Sequence, residues 1–247
     1  MISLTQRRVC IVRRRNGIDS IRYSNGMLVP FSMLRTPEQL EDRAAIFLRA
    51  YRPKPGDVVV DAGAGIGEEI PLFAGLVGKR GRVVAIEAHP AVFARLSALG
   101  RLYGLEHVTC LHAAIVDAPG TAYITNLENP LSNSVVTDNG TIPVPAETLD
   151  DLLGRLEVGR VDFLKMNIEG AELRALEGFT NGLPRTRHLA VACHDRRAED
   201  GESDTFRTRD GVTSLLESKG FELLDVPRGR DPWEQDWVYA RVPSSDE

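Results

Sequence analysis

From residue 56 onward, short apolar runs alternate with stretches whose apolar residues recur at helical spacing. Strands are predicted near 57–61, 82–87, 107–113, 161–167 and 187–193, and helices near 67–78, 90–103, 147–156, 170–178 and 211–219. Near-continuous apolar strands separated by helices mark a mostly parallel sheet covered on both faces, an α/β architecture. Two terminal strands are expected at 221–226 and 237–242. Residues 114–146 break the alternation: Tyr123 and Ile124, Val135 and Val136, and 142–144, separated by Asn, Gly and Pro, read as an inserted pair or trio of short strands.

The N-terminal pattern differs. Apolar and charged residues alternate through 9–12 and 18–23, and Asn25-Gly26, suited to positive φ, turns the chain into 27–29, as in a hairpin or meander. Thr36 as cap and Pro37 at the first helical position then open a helix. Leu40, Ala44, Phe47, Leu48 and Tyr51 form its apolar face, and Pro53 and Pro55 end it. The expected organisation is an N-terminal hairpin and covering helix over 1–55, the helix lying over the ligand site, and a main α/β domain over 56–247.

At 247 residues and 43% hydrophobic content, the chain suffices for a single core. A net charge of −5 argues against a general nucleic-acid binder, which needs a basic face. Residues 1–35 are the exception, with seven arginines against Asp19 alone; a solvated hairpin edge is expected there, with a patch for acidic ligands as the alternative. Cys10, Cys110 and Cys193 each lie in a strand-like apolar run and read as reduced core residues. No apolar stretch has the length of a signal peptide or membrane span, so a soluble, cytoplasmic protein is expected.

The densest chemical signal is Val58-Val59-Val60-Asp61-Ala62-Gly63-Ala64-Gly65-Ile66-Gly67, followed by Val83-Val84-Ala85-Ile86-Glu87. A buried strand ends in an acid, a glycine turn allows close approach to a ligand, and a second strand ends in an acid placed for a ribose. A dinucleotide fingerprint would need glycine at position 68, but Glu68 stands there and would repel a pyrophosphate. The Asp-x-Gly-x-Gly-x-Gly pattern instead resembles the first motif of class I S-adenosylmethionine-dependent methyltransferases, whose cofactor carries an ammonium and a sulfonium and no phosphate. That resemblance implies that Asp61, Gly63, Ala64, Gly65, Gly67 and Glu68 surround the methionine end. Glu87 would take the ribose hydroxyls, with Ala88 and His89 near the adenosine. At the end of the third strand Ala113 and Ala114 would leave room for a flat adenine, and His112 is left as a packing or capping residue.

The fourth strand and its exit read Val161-Asp162-Phe163-Leu164-Lys165-Met166-Asn167-Ile168-Glu169-Gly170-Ala171-Glu172, with Thr148-Leu149-Asp150 upstream. Together with the glycine motif, over roughly 56–180, this resembles the FkbM-like methyltransferase family. The usual wording there is Lys-x-Asp-x-Glu-Gly-x-Glu, and Asn167, also expected among the cofactor-binding residues, departs from it. The resemblance implies a Rossmann-like seven-stranded methyltransferase sheet, mostly parallel with an antiparallel C-terminal edge and helices on both faces, preceded here by the N-terminal extension. It also implies O-methylation of sugars or polyketide-type natural products.

Methyl transfer to a hydroxyl needs in-line placement and a destination for the proton. Glu169, just past the strand end, is the natural base, while Glu172 fits a charge at a helix N-terminus. The fifth strand ends in His194-Asp195, which leaves two mechanisms open. In one, His194 acts as base, shared with Glu169. In the other, Asn167, Glu169, His194 and Asp195 ligate Mg²⁺, as in metal-dependent macrocin-type sugar O-methyltransferases, and lower the pKa of the hydroxyl.

The expected partner is a small hydroxylated acceptor, a saccharide being favoured, with Asn129, Ser132, Asn133 and Ser134, or Trp233, Glu234, Asp236 and Trp237, in contact with it. Residues 195–211 read as a lid or a solvated loop. A polyketide hydroxyl or amine acceptor, a non-catalytic cofactor-binding protein, and a homodimer through the hairpin remain open alternatives.

Overall fold

The computed structural model describes residues 2–5, 8–15, 18–23, 28–30, 37–127, 133–136, 141–227, 229 and 231–243. The N-terminal alternation forms a four-stranded antiparallel meander of β1 (Ile2–Thr5), β2 (Arg8–Arg15), β3 (Ile18–Tyr23) and β4 (Leu28–Pro30), one strand more than the expectation began with. The Asn25-Gly26 turn and the Thr36 cap lie outside the described residues. Helix α1 (Pro37–Phe47) follows.

The strand–helix alternation then runs through β5 (Val58–Ala62), α2 (Ile70–Val77), β6 (Arg82–Glu87), α3 (Pro90–Tyr103) and β7 (Val108–His112). Helix α2 starts later than its apolar pattern suggests because Gly67, at φ +89°, holds the preceding loop out of helical geometry. Helix α3 spans the predicted residues: His89 Nδ1 accepts the Ala91 amide, Pro90 fills the first turn, and Gly104 at φ +60° ends it.

The interruption is a second sheet of β8 (Ala114–Ile115), β9 (Gly120–Ile124), β10 (Val135–Val136) and β11 (Ile142–Glu147), in the order β10-β9-β11-β8. Four strands form rather than two or three because Ala114 and Ile115 pair in parallel with Ala146 and Glu147, a partner remote in sequence.

The alternation resumes with α4 (Leu149–Arg155), β12 (Val161–Met166), α5 (Glu172–Glu177), β13 (Thr186–Ala192), α6 (Asp195–Glu199), α7 (Arg209–Ser218), β14 (Glu222–Leu223) and β15 (Trp237–Arg241). The expected lid or loop over 195–211 is thus partly helical, with a 3₁₀ turn at Asp204–Phe206 that buries Phe206.

The main sheet has seven strands in the order β14-β15-β13-β12-β5-β6-β7. Five are parallel, and β15 runs antiparallel to both β13 and β14. Strand periodicity divides the core. Val60, Val84, Leu164 and Val191 face α4, α5 and α7, while Val59, Val83, Phe163 and Ala190 face α1 and α2. Connections from β5 proceed outward to β6 on one side and the chain returns to β12 on the other. The strand order therefore reverses between β5 and β12, the place where an open parallel sheet forms a crevice at its carboxyl edge.

Cys110 and Cys193 are free thiols, half-buried and buried respectively. Among the described residues no helix is long and apolar enough to cross a membrane.

Candidate active site

Three backbone contacts stitch the crevice. Gly63 and Ala64 donate to the Ile86 carbonyl at 3.0 and 2.9 Å, and Asn167 donates to the Ala62 carbonyl at 2.9 Å. The exits of β5 and β12 approach so closely that a Cβ on Gly63 would stand 1.9 Å from the Asn167 carbonyl oxygen. Gly63 also sits at φ +77°, so glycine is required there twice over.

Beneath this turn lies a buried ion pair. Lys165 Nζ is 2.8 Å from Asp61 Oδ1 and donates to the Gly63 carbonyl at 2.9 Å. Both side chains are buried. Burial alone would lower the Lys165 pKa, but the charges of Asp61 and Glu69 hold it above its ordinary value. Asp61 is therefore underneath the glycine loop and not on the cavity wall, and its partner was not foreseen. The signal was present: a lysine inside an otherwise apolar buried strand needs a buried counter-charge.

Above the turn opens a cavity of about 290 Å³. Of the expected cofactor residues, Gly63, Ala64, Gly65, Glu68, Glu87, Ala88, His89, Ala113, Ala114 and Asn167 line it. Gly67 is not among them; it packs against Leu96 and Leu99 of α3. Glu87 Oε2 accepts from the Gly65 amide at 3.0 Å and Oε1 from the His89 amide at 2.8 Å, which fixes the carboxylate at the rim of β6. Burial raises its pKa, and these amides counter part of that rise. The apolar end of the cavity is built by Ala113 and Ala114 with Ile115, Ile124 and Val135, so the inserted sheet supplies one wall. His112 stays outside it, stacked on Phe93 with Nε2 2.9 Å from the Ala88 carbonyl oxygen. A flat apolar slot beside a fixed carboxylate and a glycine turn fits an adenosyl group.

A second cavity of about 270 Å³ adjoins the first, and Arg43, Glu69, Lys165, Asn167 and Glu169 line both. Its remaining walls include Phe47 of α1, Ala192, His194, Trp233, Asp236 and Trp237. Helix α1 thus borders the crevice through Arg43, Ile46 and Phe47. Trp237 packs on Phe47, while Trp233 is 43% exposed at the mouth. Of the other acceptor candidates, Asn133 lines the first cavity, Ser134 is buried beside it in sequence, and Glu234 pairs with Arg49. Asn129 and Ser132 lie outside the described residues.

Glu69 and Arg43 were also not foreseen. Burial pushes the Glu69 carboxyl up to about 7, with Lys165 opposing the rise and Asp61 and Glu68 adding to it.

Glu169 leaves β12 at φ +54°, a strained conformation for a non-glycine residue, followed by Gly170 at φ +96°. Its Oε1 lies 3.3 Å from His194 Nε2, and its Oε2 accepts from Arg197 Nη1 at 2.7 Å. Burial would raise its pKa, but His194 and Arg197 outweigh it and hold the carboxyl below its usual range.

Glu172 completes the cluster. One oxygen accepts the Ile168 and Gly170 amides and the other the Thr208 hydroxyl, and Oε1 stands 2.8 Å from His194 Nδ1 in an ionic contact off the ring N–H axis. It organises the strand exit, a larger role than a helix-terminal charge. Although burial would lower the His194 pKa, Glu172 and Glu169 push it up to about 10. Two flanking carboxylates and a raised proton affinity thus favour a cationic His194 over the base expected from the sequence.

The metal expectation finds no support on similar grounds. Asp195 turns away from the crevice and accepts the Thr208 and Arg209 amides at 3.1 and 3.0 Å, capping α7. With His194 cationic and Arg197 against Glu169, the set Asn167, Glu169, His194 and Asp195 does not suit a divalent cation. Among the described residues, no three His, Cys, Asp or Glu side chains are grouped to hold one.

Comparison with known proteins places this geometry. Residues 61–223 match the model of the methyltransferase FkbM domain. The fold resembles a methyltransferase FkbM from Methylobacillus flagellatus, with a TM-score of 0.59 and 19% identity over 83% of this chain and 50% of that one. It also resembles a fibrillarin pre-rRNA processing protein from Methanococcus jannaschii, with a TM-score of 0.53 and 12% identity over 94% and 97% of the two chains. A 76-residue segment, 30% of this chain, is 34% identical to AMB antimetabolite synthetase AmbE from Pseudomonas aeruginosa, of which it spans 3%.

Proposed function

This chain belongs to the FkbM family of S-adenosylmethionine-dependent methyltransferases, and from that premise we propose that it methylates a hydroxyl oxygen of a small polyhydroxylated acceptor, a saccharide or glycosylated natural product. The observation that carries this reading is the pair of adjoining cavities meeting at the exits of β5 and β12. One has the fixed carboxylate and small-residue slot of an adenosyl site. The other offers an acceptor room walled by Trp233, Trp237 and polar side chains. Its cations, Arg43, Lys165 and His194, are matched by Glu69, Glu169 and Asp236, so a neutral polyol suits it better than a strongly charged acceptor.

When bound, S-adenosylmethionine supplies an electrophilic methyl group. The chain's own residues hold and orient the reactants. Glu87 would accept from the ribose hydroxyls through its remaining lone pairs, Ala113 and Ala114 would lie against the adenine, and Gly63 and Gly65 would admit the chain of the methionine. Glu169, kept ionised by His194 and Arg197, accepts a hydrogen bond from a neighbouring hydroxyl of the polyol and so turns the attacked oxygen toward the methyl position. His194 serves as the buried cation that joins Glu169 to Glu172. In this assignment residues 56–247 form the catalytic unit, and 1–55 form an extension whose helix contributes Arg43.

Calorimetry with S-adenosylhomocysteine tests the cofactor half; absence of binding removes the enzymatic reading. A screen of saccharide, polyketide and amine acceptors with labelled cofactor tests the other half. Label on saccharide hydroxyls is expected, and label on amines alone overturns the O-methyl assignment.

A further inference from the structure

We propose that Glu69 is the group that takes the proton from the acceptor hydroxyl during methyl transfer. The inference rests on the O-methyl reading above and adds a residue to it. Among the described residues, only two carboxylates line both cavities, Glu69 and Glu169. Glu169 has each oxygen against a cation, His194 at 3.3 Å and Arg197 at 2.7 Å, and protonating it would break both contacts. Glu69 stands at the head of α2, where its carbonyl already accepts from Phe73 and fixes the backbone. Its side chain joins the wall common to the cofactor and acceptor rooms.

The groups that face Glu69 come from each neighbouring element. Asp61 and Lys165 lie below it on β5 and β12, Glu68 precedes it on the loop, Arg43 belongs to α1, and Glu169 follows β12. Across the second cavity are His194 and Asp236. Burial and the nearby acids raise its proton affinity to a value near neutrality, while Lys165 prevents a further rise. Such a carboxylate accepts a proton more readily than an unperturbed one.

The step balances within the site. A lone pair of the acceptor oxygen forms the new C–O bond, and the methyl carbon–sulfur bond breaks with its electron pair retained by sulfur. The O–H electron pair stays on oxygen, and the proton passes to a Glu69 carboxylate oxygen, giving a carboxylic acid that returns it to water.

The full-length Glu69→Gln variant preserves shape and removes proton affinity. Three measurements on it decide the matter: S-adenosylhomocysteine affinity by calorimetry, the pH profile of kcat on the hydroxyl acceptor found by screening, and carboxyl-carbon NMR titration of the free protein. Expected are an affinity within about twofold of wild type and a kcat lower by roughly 10²- to 10⁴-fold. The wild-type carboxyl resonance and acid limb that titrate near pH 7 should both vanish. Unchanged kcat, persistence of the acid limb, or a loss of cofactor affinity as large as the loss in kcat would overturn the role; the last would make Glu69 a clamp for the cofactor ammonium. Failure of the O-methyl reading is separable, because it appears in wild type as label on amines alone.

Discussion

Lys165 Nζ lies 2.8 Å from Asp61 Oδ1, and the parallel register of β12 with β5 sets these two residues directly side by side. Both side chains are almost wholly buried, so each charge depends on the other for the solvation it lost. Because Lys165 also donates to the Gly63 carbonyl, the pair ties sheet to glycine turn. Asp61→Asn should therefore destabilise the fold by about 3–5 kcal/mol, since it leaves a buried ammonium without its closest counter-charge. In urea titrations the Asp61→Asn/Lys165→Met double variant should lose much less than the sum of the single losses. Additive losses would show that the pair is not coupled.

Gly63 offers a sharper steric test. Alanine there would face the Asn167 carbonyl at 1.9 Å and carry a side chain at φ +77°. Gly56, at φ +97° with open space around it, isolates the backbone cost alone. Gly56→Ala should cost about 1–3 kcal/mol and leave S-adenosylhomocysteine binding intact. Gly63→Ala should cost more and abolish binding, because β5 and β12 must move apart. Equal melting temperatures for the two variants would contradict the stated contact.

The pH dependence of stability should report His194. Its folded pKa is raised, from about 6.5 to about 10, by Glu172 and Glu169. A raised pKa in a basic group contributes stability that is fully present below the ordinary value and is lost as pH rises through the folded value. Wild type should therefore lose stability progressively between about pH 6.5 and 10. His194→Asn should be less stable at pH 6 and should lack this part of the slope, the difference between the two curves removing the contributions of Glu69, Asp236 and the thiols. Parallel curves in denaturant titrations across that range would show that the imidazole is neutral.

The sequence made legible what depends on chain-local pattern and the ends of parallel strands. Glu87, Ala113 and Ala114 follow from the rule that ligands gather at those ends, and all three line the first cavity. Contacts set by register or by the packing of remote segments were hidden. Lys165 meets Asp61 only once β12 is known to neighbour β5, and Asp195 seemed a ligand because its bonds to Thr208 and Arg209 require the later chain to fold back. Arg197 was lost in a charge-dense run, although it reaches Glu169 and lies 3.9 Å from the Phe206 ring centroid.

Asp195 separates a metal site from a helix cap. As a cap for α7, its replacement by alanine should cost about 0.5–2 kcal/mol of stability and leave turnover near wild type once folding is complete. Turnover of the wild type should likewise be unaffected by an excess of chelator. Activity that disappears on chelation and returns with Mg²⁺ would restore the metal mechanism, and an inactive but fully stable Asp195→Ala would identify the missing ligand.

The acceptor room makes its own prediction through Trp233. The indole is 43% exposed at the mouth of the second cavity and does not line the first, so it is placed to cover a sugar face without touching the cofactor. An aromatic contact of this kind contributes about 0.5–1.5 kcal/mol, which corresponds to up to roughly tenfold in affinity. Trp233→Ala should raise the acceptor KM by that factor, with kcat changed little and S-adenosylhomocysteine affinity unchanged. Trp237 is a poor choice for the same test, because it packs on Phe47 and its removal would loosen α1 from the sheet. Steady-state kinetics with cofactor saturating, alongside calorimetry, distinguishes the outcomes. An unchanged KM would move the acceptor away from Trp233, whereas a weakened cofactor would merge the two cavities into a single binding site.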